Sequence, residues 1–261
     1  MADWRAEFKG AARTAFASPV RIFFPPLCAG CRRLVSEPGA LCAICWPSLR
    51  HLEPPWCPVM GTPFAQDMGE GFLSAEAIAD PPPFGRLRAA VAYSAVARDM
   101  VQGLKYNDRT DLARWMARWM VRAGFEVIAE TQLVVPVPLH RRRYFQRRFN
   151  QSAELGRWVA RLCGLDFRPE AAVRVKATRQ QVGLGERERI ENVRGAFAVP
   201  PGARPLLAGR RVLIVDDVYT TGATVGALTR TLLRAGAAGV DVLTFARVLP
   251  GDFQREEHGL I

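Results

Sequence analysis

The fold is indicated most clearly by residues 211–225, Arg211-Val212-Leu213-Ile214-Val215-Asp216-Asp217-Val218-Tyr219-Thr220-Thr221-Gly222-Ala223-Thr224-Val225. Its run of aliphatic residues, 212–215, predicts a buried strand. Asp216 and Asp217 come next, and burying adjacent carboxylates is costly unless they lie at the rim of the sheet. Because ligands of open α/β sheets bind outside the carboxyl ends of the strands, we expect both aspartates to face a ligand crevice.

The turn after the aspartates predicts a phosphate-binding loop, formed by Thr220, Thr221, Gly222, Ala223 and Thr224. These residues supply hydroxyl groups and a tight turn at the start of a predicted helix, where free N–H groups and the helix dipole favour an anion. The loop is neither a P-loop nor a G-x-G-x-x-G turn. An ordinary strand, turn and helix with capping side chains is the alternative interpretation.

Two carboxylates beside one phosphate loop suit a sugar phosphate. The carboxylates would accept hydrogen bonds from the vicinal hydroxyls of ribose while the loop holds the 5′-phosphate. Residues 212–224 resemble the 5-phosphoribosyl 1-diphosphate (PRPP) motif of type I phosphoribosyltransferases. The resemblance implies PRPP or a related sugar phosphate as the ligand.

Beyond residue 85 the sequence alternates apolar strands with helices. The predicted strands cover 88–94, 133–137, 212–215 and 240–245, and the predicted helices cover 112–128, 151–162 and 224–234. This order predicts an α/β fold with a parallel sheet covered by helices on both faces.

An arginine-rich loop follows the strand predicted at 133–137 and ends at Asn150. Its arginines are Arg141, Arg142, Arg143, Arg147 and Arg148. In a PRPP site such a loop would neutralise pyrophosphate. Tyr144, Phe145 and Phe149 interleave with the arginines, which also fits stacking on the bases of single-stranded nucleic acid. A solvated run of charge is the third interpretation.

Four cysteines near the N-terminus have the spacing of a structural zinc site. Cys28, Cys31, Cys42 and Cys45 form two C-x-x-C knuckles, each of which can aim two thiolates at one tetrahedral metal. Disulfides are the first alternative, disfavoured in a reducing compartment, and a redox C-x-x-C is the second, disfavoured because such motifs occur singly. We therefore expect one structural Zn²⁺.

Cys57 begins a similar knuckle, but Met60 stands where its second cysteine would be. A thioether is a poor zinc ligand, so the sequence argues against a second metal site. His51 is near enough in sequence to substitute, although a lone histidine is usually a surface or core residue. We expect Cys163 to be a buried small hydrophobic residue.

The composition is that of a folded protein with a basic excess. The chain has 261 residues, of which 49% are hydrophobic, and carries a net charge of +11. Basic charge attracts phosphate, but the basic residues are nearly all arginine, so the excess fits a nucleic-acid surface and a chain-wide arginine bias equally well. No apolar run is long enough to span a membrane and no secretory signal is present, which predicts a cytoplasmic protein.

Taken in order, the motifs of the chain resemble those of the ComF family. Besides the cysteine knuckles and the PRPP motif they include residues 103–106, 136–151, 178–184 and 191–197. The resemblance covers about residues 18 to 249. It implies a type I phosphoribosyltransferase-like parallel sheet with flanking helices, a small N-terminal zinc-ribbon domain, and a role in DNA uptake or processing during competence, with single-stranded DNA and DNA-uptake proteins as partners.

The resemblance also implies site roles and a cofactor, Mg²⁺ bound with PRPP. Asp216 and Asp217 would hold the ribose hydroxyls, while Lys105 and the arginine loop would stabilise the departing pyrophosphate. Arg179, Gln180, Gln181 and Asn192 would lie on or near a mobile loop over the site. Purine-salvage relatives that use hypoxanthine or guanine carry an aspartate where this chain has Thr220. We therefore do not expect those two bases as acceptors, and the sequence does not identify the acceptor.

The predicted domain organisation is an amphipathic helix at 1–17, a zinc ribbon at 18–64, a proline-rich connector at 65–85, the transferase-like domain at 86–250 and a polar tail at 251–261. The leading hypothesis is a glycosyltransferase of nucleoside metabolism that transfers the phosphoribosyl group. The rival is a non-catalytic adaptor that binds nucleic acid or a partner and senses a nucleotide or sugar phosphate.

Overall fold

The computed structural model describes residues 25–106, 109–140, 149–177 and 186–249. The chain divides into two compact units between Ser48 and Leu49. Residues 49–64, which the sequence analysis places in the zinc ribbon, belong to the larger unit. The helix predicted at 1–17 and the tail at 251–261 lie outside the described residues.

In the smaller unit, hydrogen-bonded turns hold the two cysteine knuckles. Leu27 and Leu34 form an antiparallel bridge, and the Cys28 N–H donates to the Arg33 carbonyl at 2.7 Å. In the second knuckle the Trp46 N–H donates to the Cys42 carbonyl at 3.0 Å. Each turn brings the sulfurs of its own pair to one side, as a metal knuckle requires.

The larger unit is built on a parallel five-stranded sheet with the order β1-β7-β6-β2-β3. Its strands are β1 (Leu87–Ala92), β2 (Leu133–Pro136), β3 (Asp166–Phe167), β6 (Arg211–Tyr219) and β7 (Gly239–Arg247). A separate antiparallel pair consists of β4 (Val173–Arg174) and β5 (Phe197–Ala198). The predicted parallel sheet is confirmed.

Helices cover the sheet. They are α1 (Ala75–Ala79), α2 (Ala95–Tyr106), α3 (Asp111–Ala123), α4 (Phe125–Ala129), α5 (Gln151–Cys163), α6 (Glu186–Val193), α7 (Arg204–Leu207) and α8 (Ala223–Arg234). Within the described ranges, no helix combines the length and the apolar character that crossing a membrane requires.

The single helix predicted over 112–128 is wrong, because the chain breaks there into α3 and α4 at Gly124. A side chain at this position would meet Leu243 Cδ1 of β7 at 2.7 Å. The glycine therefore lets the backbone approach the sheet closely where the helix direction changes. Helix α2 was not predicted, although it carries Lys105.

The core lies on both faces of the sheet. Along β6, Val212 and Ile214 belong to the cluster that includes Leu228 and Leu232 of α8. On the opposite face, a side chain at Gly156 of α5 would stand 3.6 Å from Val215 Cβ. Successive strand residues point to opposite faces, and both faces of 212–215 are buried, which accounts for the apolar residue at every position of this run.

Two buried arginines connect the segment before β1 to the sheet. Arg88 donates to the Pro58 carbonyl at 3.0 Å and pairs with Glu126. Arg247, 1% exposed, donates to the Met60 carbonyl and to Glu76 Oε1, the latter at 2.9 Å. A buried guanidinium must have such acceptors, so these contacts fix residues 58–76 against the sheet within the larger unit.

Candidate functional site

A pocket of about 280 Å³ opens at the carboxyl ends of the central strands. This is the edge at which open α/β sheets bind ligands. The lining residues include Tyr93, Lys105, Tyr106, Val137, Gln151, Ser152, Arg174, Arg189, Asp216, Asp217, Thr220, Gly222, Ala223 and Thr224. The structure thus brings the aspartate pair, most of the phosphate-binding loop and Lys105 to one cavity.

The aspartates lie inside β6 and not after its end. The strand continues to Tyr219 because β7 pairs with it throughout, with Asp216 opposite Thr244 and Val218 opposite Ala246. Asp217 is 5% exposed, and its Oδ2 stands 2.9 Å from Lys105 Nζ on α2. The ammonium group of Lys105 compensates the buried carboxylate, which makes this burial possible.

Asp216 is held as a hydrogen-bond acceptor. Its Oδ1 accepts from Ser152 Oγ at 2.8 Å and from the Asp217 N–H at 2.9 Å. Burial, and then the charge of Asp217, raise the pKa of Asp216 to about 7, against the hydrogen bonds and the charge of Lys105. A cationic or hydrogen-bond-donating ligand would lower this pKa and favour the ionised carboxylate.

The raised pKa predicts a pH-dependent stability. From its ordinary value of 3.8 up to about 7, folded Asp216 retains a proton that the unfolded chain has released. The stability contributed by this group therefore falls as pH rises through that window. We expect Asp216→Asn to be as stable as the parent near pH 4 and increasingly more stable than it toward pH 7, measured by denaturant unfolding without magnesium. The exposed variant Asp99→Asn is the control, and a stability difference that shrank with rising pH would contradict the assignment.

The predicted phosphate loop joins β6 to α8. Gly222 has a left-handed φ of 75° and precedes the first residue of α8, and its carbonyl accepts from the Gly226 N–H at 2.8 Å. A side chain at Gly222 would meet Tyr219 Oη at 2.4 Å. The turn therefore requires glycine, and it leaves the N–H groups at the start of α8 available to an anion.

Buried polar atoms beside the loop lack partners. Thr221 Oγ1 and Gln151 Oε1 are buried and have no hydrogen-bond partner among the residues that the structure describes. Gln151 lines the pocket at the first turn of α5. Burying a polar atom without a hydrogen-bond partner costs free energy. A ligand with hydroxyl or phosphate groups could supply the missing hydrogen bonds.

Two arginines of the pocket are not predicted by any motif in the sequence. Arg174 on β4 and Arg189 on α6 line the cavity and come from a part of the chain far from the PRPP-like motif. Each is isolated among non-basic or mixed neighbours, so neither composition nor spacing distinguishes it. Both arginines add positive charge to a pocket where an anion is expected.

Asn150 and Asn192 do not line the pocket, and several other predicted site residues fall outside the described residues. Asn150 is the N-cap of α5, where its Oδ1 accepts from the Ser152 N–H at 3.0 Å, and Asn192 lies in α6. The arginine loop (Arg141, Arg142, Arg143, Arg147 and Arg148) and Arg179, Gln180 and Gln181 lie outside the described residues. Their predicted roles therefore stay predictions.

The cysteines of the smaller unit form one cluster. The sulfurs of Cys28, Cys31, Cys42 and Cys45 all lie within 4.8 Å of one another, and those of Cys31 and Cys42 are 3.6 Å apart. Tetrahedral zinc with Zn–S bonds of about 2.3 Å requires sulfurs about 3.8 Å apart. The geometry fits Zn²⁺.

The electrostatics of the cluster also fit a cation. A hydrogen bond from the Cys45 backbone is the main cause that lowers the pKa of Cys42 to about 6, whereas burial and the neighbouring sulfurs raise the pKa of Cys45 to about 12. Neighbouring thiolates repel one another in this way unless a cation is present. Zinc would hold all the sulfurs ionised, as the closed coordination of a structural site requires.

Comparison with known proteins agrees with this architecture. Residues 20–77 match the double zinc ribbon domain, and residues 171–257 match the phosphoribosyl transferase domain. The DNA utilization protein YhgH of Escherichia coli K12 is 32% identical over 231 residues, which cover 86% of this chain and 98% of that protein. The chain belongs to the ComF family.

Other relatives carry competence names. Competence protein F of Haemophilus influenzae is 28% identical over 236 residues, covering 86% of this chain and 98% of that protein. Competence protein ComFC of Streptococcus pneumoniae is 29% identical over 163 residues, covering 62% of this chain and 67% of that protein. The resemblance stated from the motifs is therefore confirmed, together with the transferase-type sheet and the N-terminal zinc ribbon.

Solved structures match more weakly. The phosphoribosylpyrophosphate synthetase of Mycobacterium smegmatis is 16% identical, covers 54% of this chain and 36% of its own, and has a TM-score of 0.33.

In this member of the ComF family, the second half of the double zinc ribbon has an apolar centre. Cys57 is fully buried in the hydrophobic cluster of the larger unit together with Met60. Its sulfur accepts from the Met60 N–H at 3.4 Å and from the Ser74 N–H at 3.3 Å. Within the described residues, the four-cysteine cluster is the one group of at least three histidine, cysteine or carboxylate side chains that lie close enough together to hold a metal.

Proposed function

We propose that the larger unit binds PRPP with Mg²⁺ and acts as a phosphoribosyltransferase-type domain. The observation that carries the proposal is the convergence of the Asp216–Asp217 pair, the turn at Gly222 and Lys105 on one pocket. Each feature is common by itself. Their convergence at the carboxyl edge of a parallel sheet, in a chain that matches the phosphoribosyl transferase domain, supports a ribose phosphate as the ligand.

The ribose and its 5′-phosphate account for the polar groups of the pocket. Thr220 to Thr224 and the first turn of α8 would bind the phosphate through hydroxyl and N–H groups. The carboxylate of Asp216 would accept from a ribose hydroxyl once it ionises, and the Asp217 carboxylate would accept from the second. Thr221 Oγ1 and Gln151 Oε1 would then gain the partners that they lack.

Mg²⁺ suits the same pocket, because the carboxylate oxygens of Asp216 and Asp217 are hard ligands. When bound, Mg²⁺ would neutralise part of the charge on the pyrophosphate. Lys105 would share that task, together with Arg174, Arg189 and the arginines predicted at 141–148.

The proposed reaction breaks the bond between C1′ of the ribose and the pyrophosphate oxygen, and the acceptor then bonds to C1′. Positive charge develops on the ribose as pyrophosphate leaves, so the protein contributes mainly by orienting the substrate and stabilising charge. In this assignment the carboxylates of Asp216 and Asp217 would hold the ribose and the cationic groups would bind the pyrophosphate, with Lys105, 2.9 Å from Asp217, between the two. No side-chain nucleophile is required.

Relatives named for competence and DNA utilization support a role in DNA uptake or processing. We place the protein in the cytoplasm, where reduced thiols keep a four-cysteine site available to zinc. Release of pyrophosphate with an acceptor would distinguish a transferase from an adaptor that binds PRPP without turnover.

The direct test is titration calorimetry of PRPP with Mg²⁺. We expect Asp216→Asn combined with Asp217→Asn to weaken binding by more than about 2 kcal/mol, because hydrogen bonds to charged acceptors contribute about 1.5 to 3 kcal/mol each. Asn keeps the size of Asp, so the fold should survive. Asp67→Asn combined with Asp99→Asn removes two exposed carboxylates of the same unit and is the matched control. Equal affinity in both double variants would refute the assigned site.

A further inference from the structure

A ladder of arginine and tryptophan side chains runs across the outer surface of α3 and α5. Arg118 lies over the ring of Trp115 at 4.6 Å, and Arg114 lies 5.7 Å from the same ring. Arg114 also lies 5.6 Å from the ring of Trp158, and Arg161 covers that ring at 5.3 Å. The order Arg118–Trp115–Arg114–Trp158–Arg161 is therefore one continuous series, here called the arginine–tryptophan ladder.

The ladder residues and the core residues lie on different faces of α3 and α5. In α3 the buried residues include Leu112, Met116 and Met120, and in α5 they include Leu155 and Val159. The arginines of the ladder are exposed and its tryptophans are half-buried. The indole rings thus cover the edge of the apolar core while one part of each reaches the surface, beside guanidinium groups with free N–H edges.

The ladder carries an excess of positive charge. Arg114, Arg118 and Arg161 have no carboxylate partner among the residues that the structure describes. Arg157 extends the surface by lying 5.6 Å from the ring of Phe167, and its carboxylate neighbour, Glu154, is 3.7 Å away. Exposed arginines without acidic partners repel one another, so a polyanion would relieve a cost that the unbound surface carries.

We propose that the arginine–tryptophan ladder binds single-stranded nucleic acid. Guanidinium groups that stack on indole rings keep their edges free for phosphate oxygens, and the rings offer surfaces on which unpaired bases stack. An acidic peptide would use the charges and leave the rings without a partner. A duplex keeps its bases stacked internally, so it too would use only the charges.

The ladder is separate from the transferase pocket. The pocket uses Gln151 and Ser152 at the N-terminal end of α5, whereas the ladder uses Trp158 and Arg161, about two helical turns farther along. The ladder is also distinct in sequence from the arginine loop at 141–148. Binding at the ladder therefore does not depend on the proposed transferase function.

The experiment is fluorescence anisotropy with a labelled oligothymidine or oligouridine of about 20 nucleotides, long enough for one binding site. Two variants separate charge from stacking. Arg114→Gln, Arg118→Gln and Arg161→Gln together should weaken binding and reduce the slope of log affinity against log salt by about 2, since each single-strand phosphate contact contributes about 0.7. Trp115→Leu with Trp158→Leu should lower affinity about tenfold or more without changing that slope.

The matched control is Arg50→Gln, Arg122→Gln and Arg234→Gln, which removes the same charge from exposed positions outside the ladder. Circular dichroism and the thermal midpoint check that every variant is folded. Larger losses in both ladder variants than in the control support the proposal. Equal losses in the ladder and control variants, equal affinity for duplex, or loss of binding only on Arg142→Gln with Arg143→Gln would overturn it.

Discussion

Cys28→Ser and Cys45→Ser are each expected to release the zinc and unfold the smaller unit. The parent protein, purified under reducing conditions, should contain about one zinc per chain. Structural zinc contributes about 10 to 16 kcal/mol to the folding of small zinc domains, far more than a unit of this size gains from its core. Both cysteines are buried in the cluster, so serine cannot replace them as ligands without losing the preferred sulfur coordination.

Zinc content is measured by atomic emission, and the folding of the ribbon by proteolysis. Cys163→Ser is the matched control, because this half-buried thiol lies on α5, outside the four-cysteine cluster. It should keep the metal. Two zinc ions per chain, or full retention of zinc in either ribbon variant, would contradict a single four-cysteine site.

Gly222→Ala should prevent the proposed phosphate loop from binding its ligand. Its new Cβ would stand 2.4 Å from Tyr219 Oη and 2.9 Å from Tyr219 Cζ. Tyr219 cannot easily move, because it is 7% exposed and lies against Phe84 and Arg247. The left-handed backbone costs alanine about 1 to 2 kcal/mol and the overlap adds about 1 to 3 kcal/mol, so the turn should change conformation. We expect PRPP affinity to fall tenfold or more.

Gly164→Ala separates the cost of the left-handed backbone from the cost of the overlap with Tyr219. Gly164 has a φ of 68°, close to that of Gly222, but a side chain there would meet nothing within 4 Å. This control should lose about 1 to 2 kcal/mol of stability and keep its affinity for PRPP, measured by calorimetry. If Gly222→Ala bound PRPP as tightly as Gly164→Ala, the loop would not be the phosphate site.

The parts of the fold that were predicted correctly are those that local sequence determines. The short aliphatic run at 212–215 indicates a buried strand. Two closely spaced C-x-x-C knuckles indicate a structural zinc site. The end of β6 was misplaced, because pairing with β7 extends the strand to Tyr219. The local hydrophobic pattern of a strand does not show which distant strand pairs with it or how far that pairing extends.

The candidate site was predicted only in part for the same reason. The aspartates and the glycine turn are adjacent in sequence, so their motif could be found, whereas Arg174 and Arg189 reach the pocket only through the fold. Lys105 was predicted to bind pyrophosphate. Its ion pair with Asp217 was not predicted, because it depends on where α2 packs against the sheet. Charged residues that are far apart in sequence come together only through the tertiary structure, so local sequence does not predict that they share a site.

The buried arginines determine where this chain can be divided. Arg88 and Arg247 each donate to a backbone carbonyl between residues 58 and 60, and Arg247 also donates to Glu76. A fragment that began at residue 65 would keep Glu76 but lose the carbonyls of Pro58 and Met60, so each buried guanidinium group would lack a backbone acceptor, at a cost of about 1 to 3 kcal/mol each. A fragment that began at Leu49 would retain them, so a separately expressed transferase-type unit should begin there.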